Sequence, residues 1–202
     1  MSADARPIVY CSGGLFAPAE LRAMQHIADV LADAGYDTFL PQSDGLEAYV
    51  MNPVNRPWAN LWLARPLKRQ IEKAIFTLDI YQLVERCAAV VVNLDGRVPD
   101  EGMVVELAVA RAAGKPVVAF SGDARSLTDG RLSPPLRLTP QETVGLYKDL
   151  PGAIARALSA PAHESLPLSA RLQNDVRKGR RVWRWLQRLR GWRPANVLLE
   201  NG

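Results

Sequence analysis

Short apolar runs alternate with amphipathic stretches along the first 120 residues. Ile8-Val9-Tyr10-Cys11, Thr38-Phe39-Leu40, Ala89–Leu94 and Pro116–Phe120 are brief and rich in β-branched or aromatic side chains. Such runs read as strands, and Val90-Val91-Val92 as one buried on both faces of a parallel sheet. Leu21, Met24, Ile27, Ala28 and Leu31 recur at helical spacing, which predicts a helix over Pro18–Ala34 capped by Gly35. Ile71, Ile75, Leu78 and Leu83 predict a long helix from Pro66 to Arg86. Good helix formers from Met103 to Ala113 predict another, ended by Gly114-Lys115-Pro116. Leu150–Leu158 reads as a short helix, and Ser121–Thr139, with Pro134-Pro135, as loop. A strand–helix–strand unit within roughly thirty residues calls for parallel pairing. The expected fold class is therefore α/β, a doubly wound three-layer αβα domain over residues 1–160.

Two stretches depart from this rhythm. Pro41–Pro66 has no clear period and contains Pro53, Pro57, Trp58 and Trp62. Its length and its tryptophans predict an ordered lid or an interface. After Ala160-Pro161, residues 161–202 form a tail in which Leu172, Val176, Trp183, Leu186 and Leu189 fall near one helical face. Arginines fill the other faces, and Gly179 is expected to weaken the middle. The tail holds nine Lys/Arg and three Asp/Glu, out of 25 and 21 in the chain, which leaves 16 basic and 18 acidic residues in the body. The basicity thus belongs to the tail, and a whole-domain nucleic-acid binder is disfavoured. Such a basic amphipathic helix suits docking on its own body, a contact with a second subunit, or an acidic surface.

Composition narrows the class further. With 48% hydrophobic and 23% charged residues the chain is ordinary for a globular protein. No apolar run approaches a membrane span, and Met1–Pro7 lacks the apolar core of a signal peptide. Cys11 and Cys87 fit a reducing compartment, so a cytoplasmic location is expected. Cys11 reads as a small buried hydrophobe, although its place at the strand-1 turn puts it near a ligand. His26 and His163 have no companion at metal-ligand spacing, and neither a metal nor a cofactor is expected.

The most informative residue for chemistry is Glu106. It is the interior carboxylate of a helix that is otherwise small and apolar, and a helix apolar almost all round is expected to be buried. Burying a carboxylate is costly unless it is hydrogen-bonded or put to use. A solvated or merely structural Glu106 is the plainer alternative. Asp95 and Asp100 lie in the loop that joins strand 3 to this helix, where open α/β sheets bind ligands. An acidic loop is a poor phosphate cradle. Ser12-Gly13-Gly14 is not the full dinucleotide fingerprint, but it permits close approach of backbone to a ligand.

Four segments, in order, resemble nucleoside 2-deoxyribosyltransferases and the related nucleotide N-glycosidases. They are Ile8 to Phe16, Phe39 to Gly45, Ile75-Phe76-Thr77-Leu78-Asp79 leading into Cys87–Val92, and Pro99 to Glu106 closed by Gly114-Lys115-Pro116. The resemblance implies a flavodoxin-like sheet with a C-terminal helical extension and cleavage of an N-glycosidic bond. It implies Glu106 as nucleophile at C1′, Tyr10 as the group that orients it, and Asp79 as the acid that assists departure of the base. Asp100, within Asp100-Glu101-Gly102, would hold sugar hydroxyls or the base edge, with Gly102 allowing close approach. Gln42 and Asp44 would read the base. Ser12, the Gly13-Gly14 backbone and Arg97 would face the substrate and supply donors if it carried a 5′-phosphate. The expected substrates are a deoxynucleoside and a free nucleobase, and the expected assembly is a homo-oligomer. Three functions follow: transfer of 2-deoxyribose between bases, hydrolysis of nucleosides or 5′-monophosphates, and nucleotide sensing without catalysis.

Overall fold

The computed structural model describes residues 6–50, 65–96, 99–122, 133–161 and 164–190. Five strands, β1 (Ile8–Ser12), β2 (Asp37–Phe39), β3 (Ala89–Asn93), β4 (Val117–Phe120) and β5 (Glu142–Val144), form one sheet in the order β2-β1-β3-β4-β5. Every pairing is parallel. From β1 the sheet grows outward to β2, and from β3 it grows the other way. The switch therefore falls between β1 and β3, where Tyr10 lies opposite Val90 and Ser12 opposite Val92.

Successive side chains point to opposite faces of a strand, and each face builds its own core. Val9, Cys11, Val91, Val118 and Phe120 pack with α1 (Pro18–Asp33) and α7 (Leu150–Ser159). Tyr10, Val90, Val92 and Ala119 pack with α4 (Arg65–Tyr81) and α5 (Glu101–Ala112) on the other face. The result is a three-layer α/β fold. Cys11 faces the α1 side, away from Tyr10, and burial pushes its thiol far above the ordinary range, so it is chemically quiet.

The long C-terminal helix α8 (Ala170–Arg190) lies along α4 on the Tyr10 face. Val176 and Leu186 join that face's core, and Trp183 meets Phe39 edge-on at 5.9 Å between ring centroids. Gly179 does not weaken this helix. It is the crossing point, because a Cβ there would run into the backbone carbonyl of Thr77 on α4. Glycine's missing side chain lets the two backbones approach, which outweighs its poor helix propensity.

Several local expectations are corrected. The first part of the Pro41–Pro66 stretch is not irregular: it forms two one-turn helices, α2 (Pro41–Asp44) and α3 (Glu47–Val50). Trp58 and Trp62, and with them the lid, lie outside the described residues, as does Arg97. The long helix ends in a π-helical turn at Gln82–Arg86 instead of running on as α-helix. Pro134–Leu138 is a short helix, α6, where prolines fill the first turn at no hydrogen-bond cost. The edge strand β5 follows it. Helix α5 is not buried all round: Met103, Leu107 and Ala110 face the sheet, while Val105 is 51% exposed. Among the described residues no helix is long and apolar enough to cross a membrane.

Candidate active site

Strand and helix geometry bring Glu106 to the switch point. Asp100 caps α5 by accepting the Met103 amide at 2.8 Å on Oδ1, which fixes where the helix begins. Met103, Leu107 and Ala110 then seat one face on the sheet, and Glu106 lies on the flank of that stripe. Tyr10 and Ser12, two apart on β1, share the face that meets it. The Tyr10 hydroxyl donates to Glu106 Oε1 at 2.6 Å, and the Ser12 hydroxyl to Oε2 at 2.5 Å. Each carboxylate oxygen is thus held by one neutral donor.

Around this pair stand two further acids. Asp79, near the end of α4, has its Oδ1 enclosed without a hydrogen-bond partner. Glu47, on α3, is 7% exposed, and its Oε2 also has no partner. The electrostatics record their closeness. Burial raises Glu106 to about 7, against the opposing hydrogen bonds of Ser12 and Tyr10, and Asp100 adds to the rise. Burial also raises Glu47 to about 7; its own backbone amide opposes this and Glu106 reinforces it. Asp79 is pushed well above the carboxylate range by burial, then by Glu47 and by Glu106, with the Tyr10 hydroxyl pulling the other way. Tyr10 is itself raised by burial and by Asp79 and Glu106. Glu106 as a residue is half-buried while its carboxylate is fully desolvated, an arrangement open to a ligand on one side.

Three acids that resist ionisation together hold protons near neutral pH. Such a group supplies both a carboxylate that can attack or stabilise a cation and a carboxylic acid that can give up a proton. Among the described residues no cluster of His, Cys, Asp and Glu has the arrangement of a metal site.

The structure thus gathers Tyr10, Ser12, Asp79 and Glu106, with Asp100 at the rim. The other residues singled out in the sequence are engaged elsewhere. Gln42 donates to the Leu21 carbonyl at 3.1 Å, against α1. Asp44 accepts the Leu40 amide at 2.9 Å and sits 3.5 Å from Arg190 of α8. A Cβ on Gly13 would strike the Met24 side chain and crowd Asn93, and one on Gly14 would strike the Glu20 carboxylate. That carboxylate accepts the Phe16 and Ala17 amides at 3.0 and 2.9 Å, so the start of α1 already holds an anion of its own. A Cβ on Gly102 would stand 3.0 Å from Asp100 Oδ1. Glu47 was missed in the sequence. The signal was there: like Glu106, it is the lone carboxylate of an apolar stretch, Leu46-Glu47-Ala48-Tyr49-Val50.

An open parallel sheet with acids gathered at its switch point is the architecture of an α/β protein that takes small ligands at its strand ends. The chain belongs to the nucleoside 2-deoxyribosyltransferase family, whose model matches residues 9–154. The family implies nucleoside and nucleobase substrates. No curated protein matches the chain. Among solved structures it is similar to a conserved protein of Enterococcus faecalis V583, with 22% identity, 75% of this chain and 99% of that one covered, and a TM-score of 0.53. It is also similar to a 2-deoxyribosyltransferase of Bacillus psychrosaccharolyticus, with 15% identity, 78% and 99% covered, and a TM-score of 0.53. Likeness at these identities establishes the shared fold.

Proposed function

We propose that the protein transfers 2-deoxyribose between nucleobases through a covalent sugar–Glu106 intermediate. The observation that carries this reading is the pair of hydroxyl donors, Tyr10 and Ser12, on the two oxygens of one desolvated carboxylate. They orient Glu106 without cancelling its charge, as an attacking carboxylate requires. A Glu106 oxygen bonds to C1′ as the C1′–N bond breaks, and the base departs with that electron pair. Asp79, kept protonated by its surroundings, gives the leaving base a proton. A second base then attacks C1′ and releases Glu106, so two displacements retain configuration. Asp100 is assigned to the sugar hydroxyls or the base edge, since only its Oδ1 is engaged in the helix cap. Gln42, Asp44 and the Gly13-Gly14 and Gly102 backbone are assigned to the periphery of the bound substrate.

The test is incubation with 2′-deoxyinosine, with and without adenine, followed by chromatography. The expected product is 2′-deoxyadenosine only when protein and adenine are both present. Free hypoxanthine and deoxyribose without exchange would make the protein an N-glycosidase, and binding without turnover a sensor. The same reading includes a homo-oligomer and cytoplasmic nucleotide salvage, which light scattering and cell fractionation check.

A further inference from the structure

Glu47 is not needed to orient Glu106, since Tyr10 and Ser12 already do so. Nor is it a structural tie. Its Oε2 is enclosed without any hydrogen-bond partner, a state that costs free energy unless an occupant of the site supplies a donor. Asp79 Oδ1 is in the same condition. After burial, the charge that Asp79 feels most is that of Glu47, ahead of Glu106. Glu47 therefore belongs to the Asp79 side of the site, the side of the leaving base, and Glu106 to the side of the sugar.

Two neighbouring carboxyls sharing a proton offer one donor and one acceptor side by side. The complementary edge has a ring nitrogen acceptor next to an amino donor. Adenine presents it at N7 and the 6-amino group, and cytosine at N3 and the 4-amino group. Hypoxanthine and thymine place a carbonyl oxygen where the amino group would be, and that oxygen repels a carboxylate. Resting on the proposed roles of Glu106 and Asp79, we infer that Glu47 is a specificity-determining residue of this site. Its unpartnered oxygen accepts a hydrogen bond from an exocyclic amino group of the base and so favours amino bases over oxo bases. Asp79 gives its proton to the adjoining ring nitrogen, and the base leaves neutral.

The order of ionisation agrees. Asp79 holds its proton most tightly, whereas Glu47 loses its own near pH 7, with Glu106 on α5, Asp79 on α4 and Tyr10 on β1 as the titratable groups around it. The preference for amino bases accordingly strengthens as pH rises through about 7.

The experiment is calorimetric titration of the full chain with adenine and with hypoxanthine, for wild type, Glu47→Gln and Glu47→Ala. Wild type is expected to bind adenine at least about tenfold more tightly, the difference between a donor that is met and an acceptor that is repelled. Glu47→Gln, whose amide turns to offer either a carbonyl oxygen or an N–H, is expected to bring the ratio below about threefold. A wild-type ratio near one, an unchanged ratio in Glu47→Gln, or no binding of either base overturns the inference. The pH dependence of the wild-type ratio decides the matter without any variant, should both fail to fold. A ratio that does not rise between about pH 6 and pH 8 overturns it too. Binding that follows Glu47 without turnover of 2′-deoxyadenosine or 2′-deoxyinosine sinks the transferase reading and leaves this inference standing.

Discussion

Glu106 and Glu85 each accept hydrogen bonds from side chains on a distant element, and the two contacts have opposite consequences. Glu106 lies at the heart of the sheet and is held by the neutral hydroxyls of Tyr10 and Ser12. Glu85 lies on the surface, where Arg180 of α8 grips both of its oxygens. The guanidinium cancels the charge of Glu85, and water screens what remains, so the pair adds little beyond fixing how α8 lies. The hydroxyls around Glu106 hold geometry but leave the charge intact, and burial keeps that charge poised at the edge of protonation. A carboxylate becomes chemically useful when it is desolvated, held by neutral donors and left without a cation.

The largest expected effect breaks the buried side of this contrast. Glu106→Ala is expected to lower the rate of base exchange by about a thousandfold or more, about 4 kcal/mol of transition-state stabilisation, while thermal melting shows an intact fold. Next comes the seam that carries the exposed pair. Gly179→Leu forces a side chain into the Thr77 carbonyl and is expected to destabilise the protein by about 3 kcal/mol in urea unfolding, far more than any change at Arg180. Tyr10→Phe removes one neutral donor. Its expected effect is a fall in kcat of roughly thirtyfold. The lost bond favoured the ionised form, so the acidic limb of the pH profile should move upward from about 7.

A smaller effect concerns stability and pH. Glu47 and Glu106 stand at about 7 in the folded chain against 4.5 for the free groups. Unfolding releases their protons across that window, so their contribution is full below pH 4.5 and is lost as pH rises to about 7. Glu47→Gln removes one such group, and its melting temperature should fall less than that of wild type between about pH 5 and pH 7.5. The smallest effect belongs to the exposed pair: Arg180→Ala should leave both melting and turnover close to wild type.

The parts that were legible in the sequence share a physical cause. Buried parallel strands such as Val90-Val91-Val92 are long apolar runs, and a carboxylate within the apolar α5 stands out against its neighbours. That same logic applies to Glu47, but α3 is one turn long, too short for a helical period to emerge beside Pro41 and Gly45. The edge strand Glu142-Thr143-Val144 has only three residues and mixed polarity, and no alternation can be read from so few. Gly179 looked like a flaw because propensity is local, whereas its reason is the Thr77 carbonyl on another helix, a tertiary contact. Tyr10 and Ser12 were both noticed, but that their hydroxyls divide the two oxygens of Glu106 depends on the register of β1 against α5.

The central claim is that Glu106 carries the sugar. It is tested most directly by quenching the protein in acid during turnover of 2′-deoxyadenosine, digesting it, and weighing the peptides by mass spectrometry. One 2-deoxyribosyl group is expected on the peptide that contains Glu106, absent in Glu106→Ala and lost when a free base is added before the quench. Turnover with no adduct on that peptide, or an adduct that persists in Glu106→Ala, would contradict it.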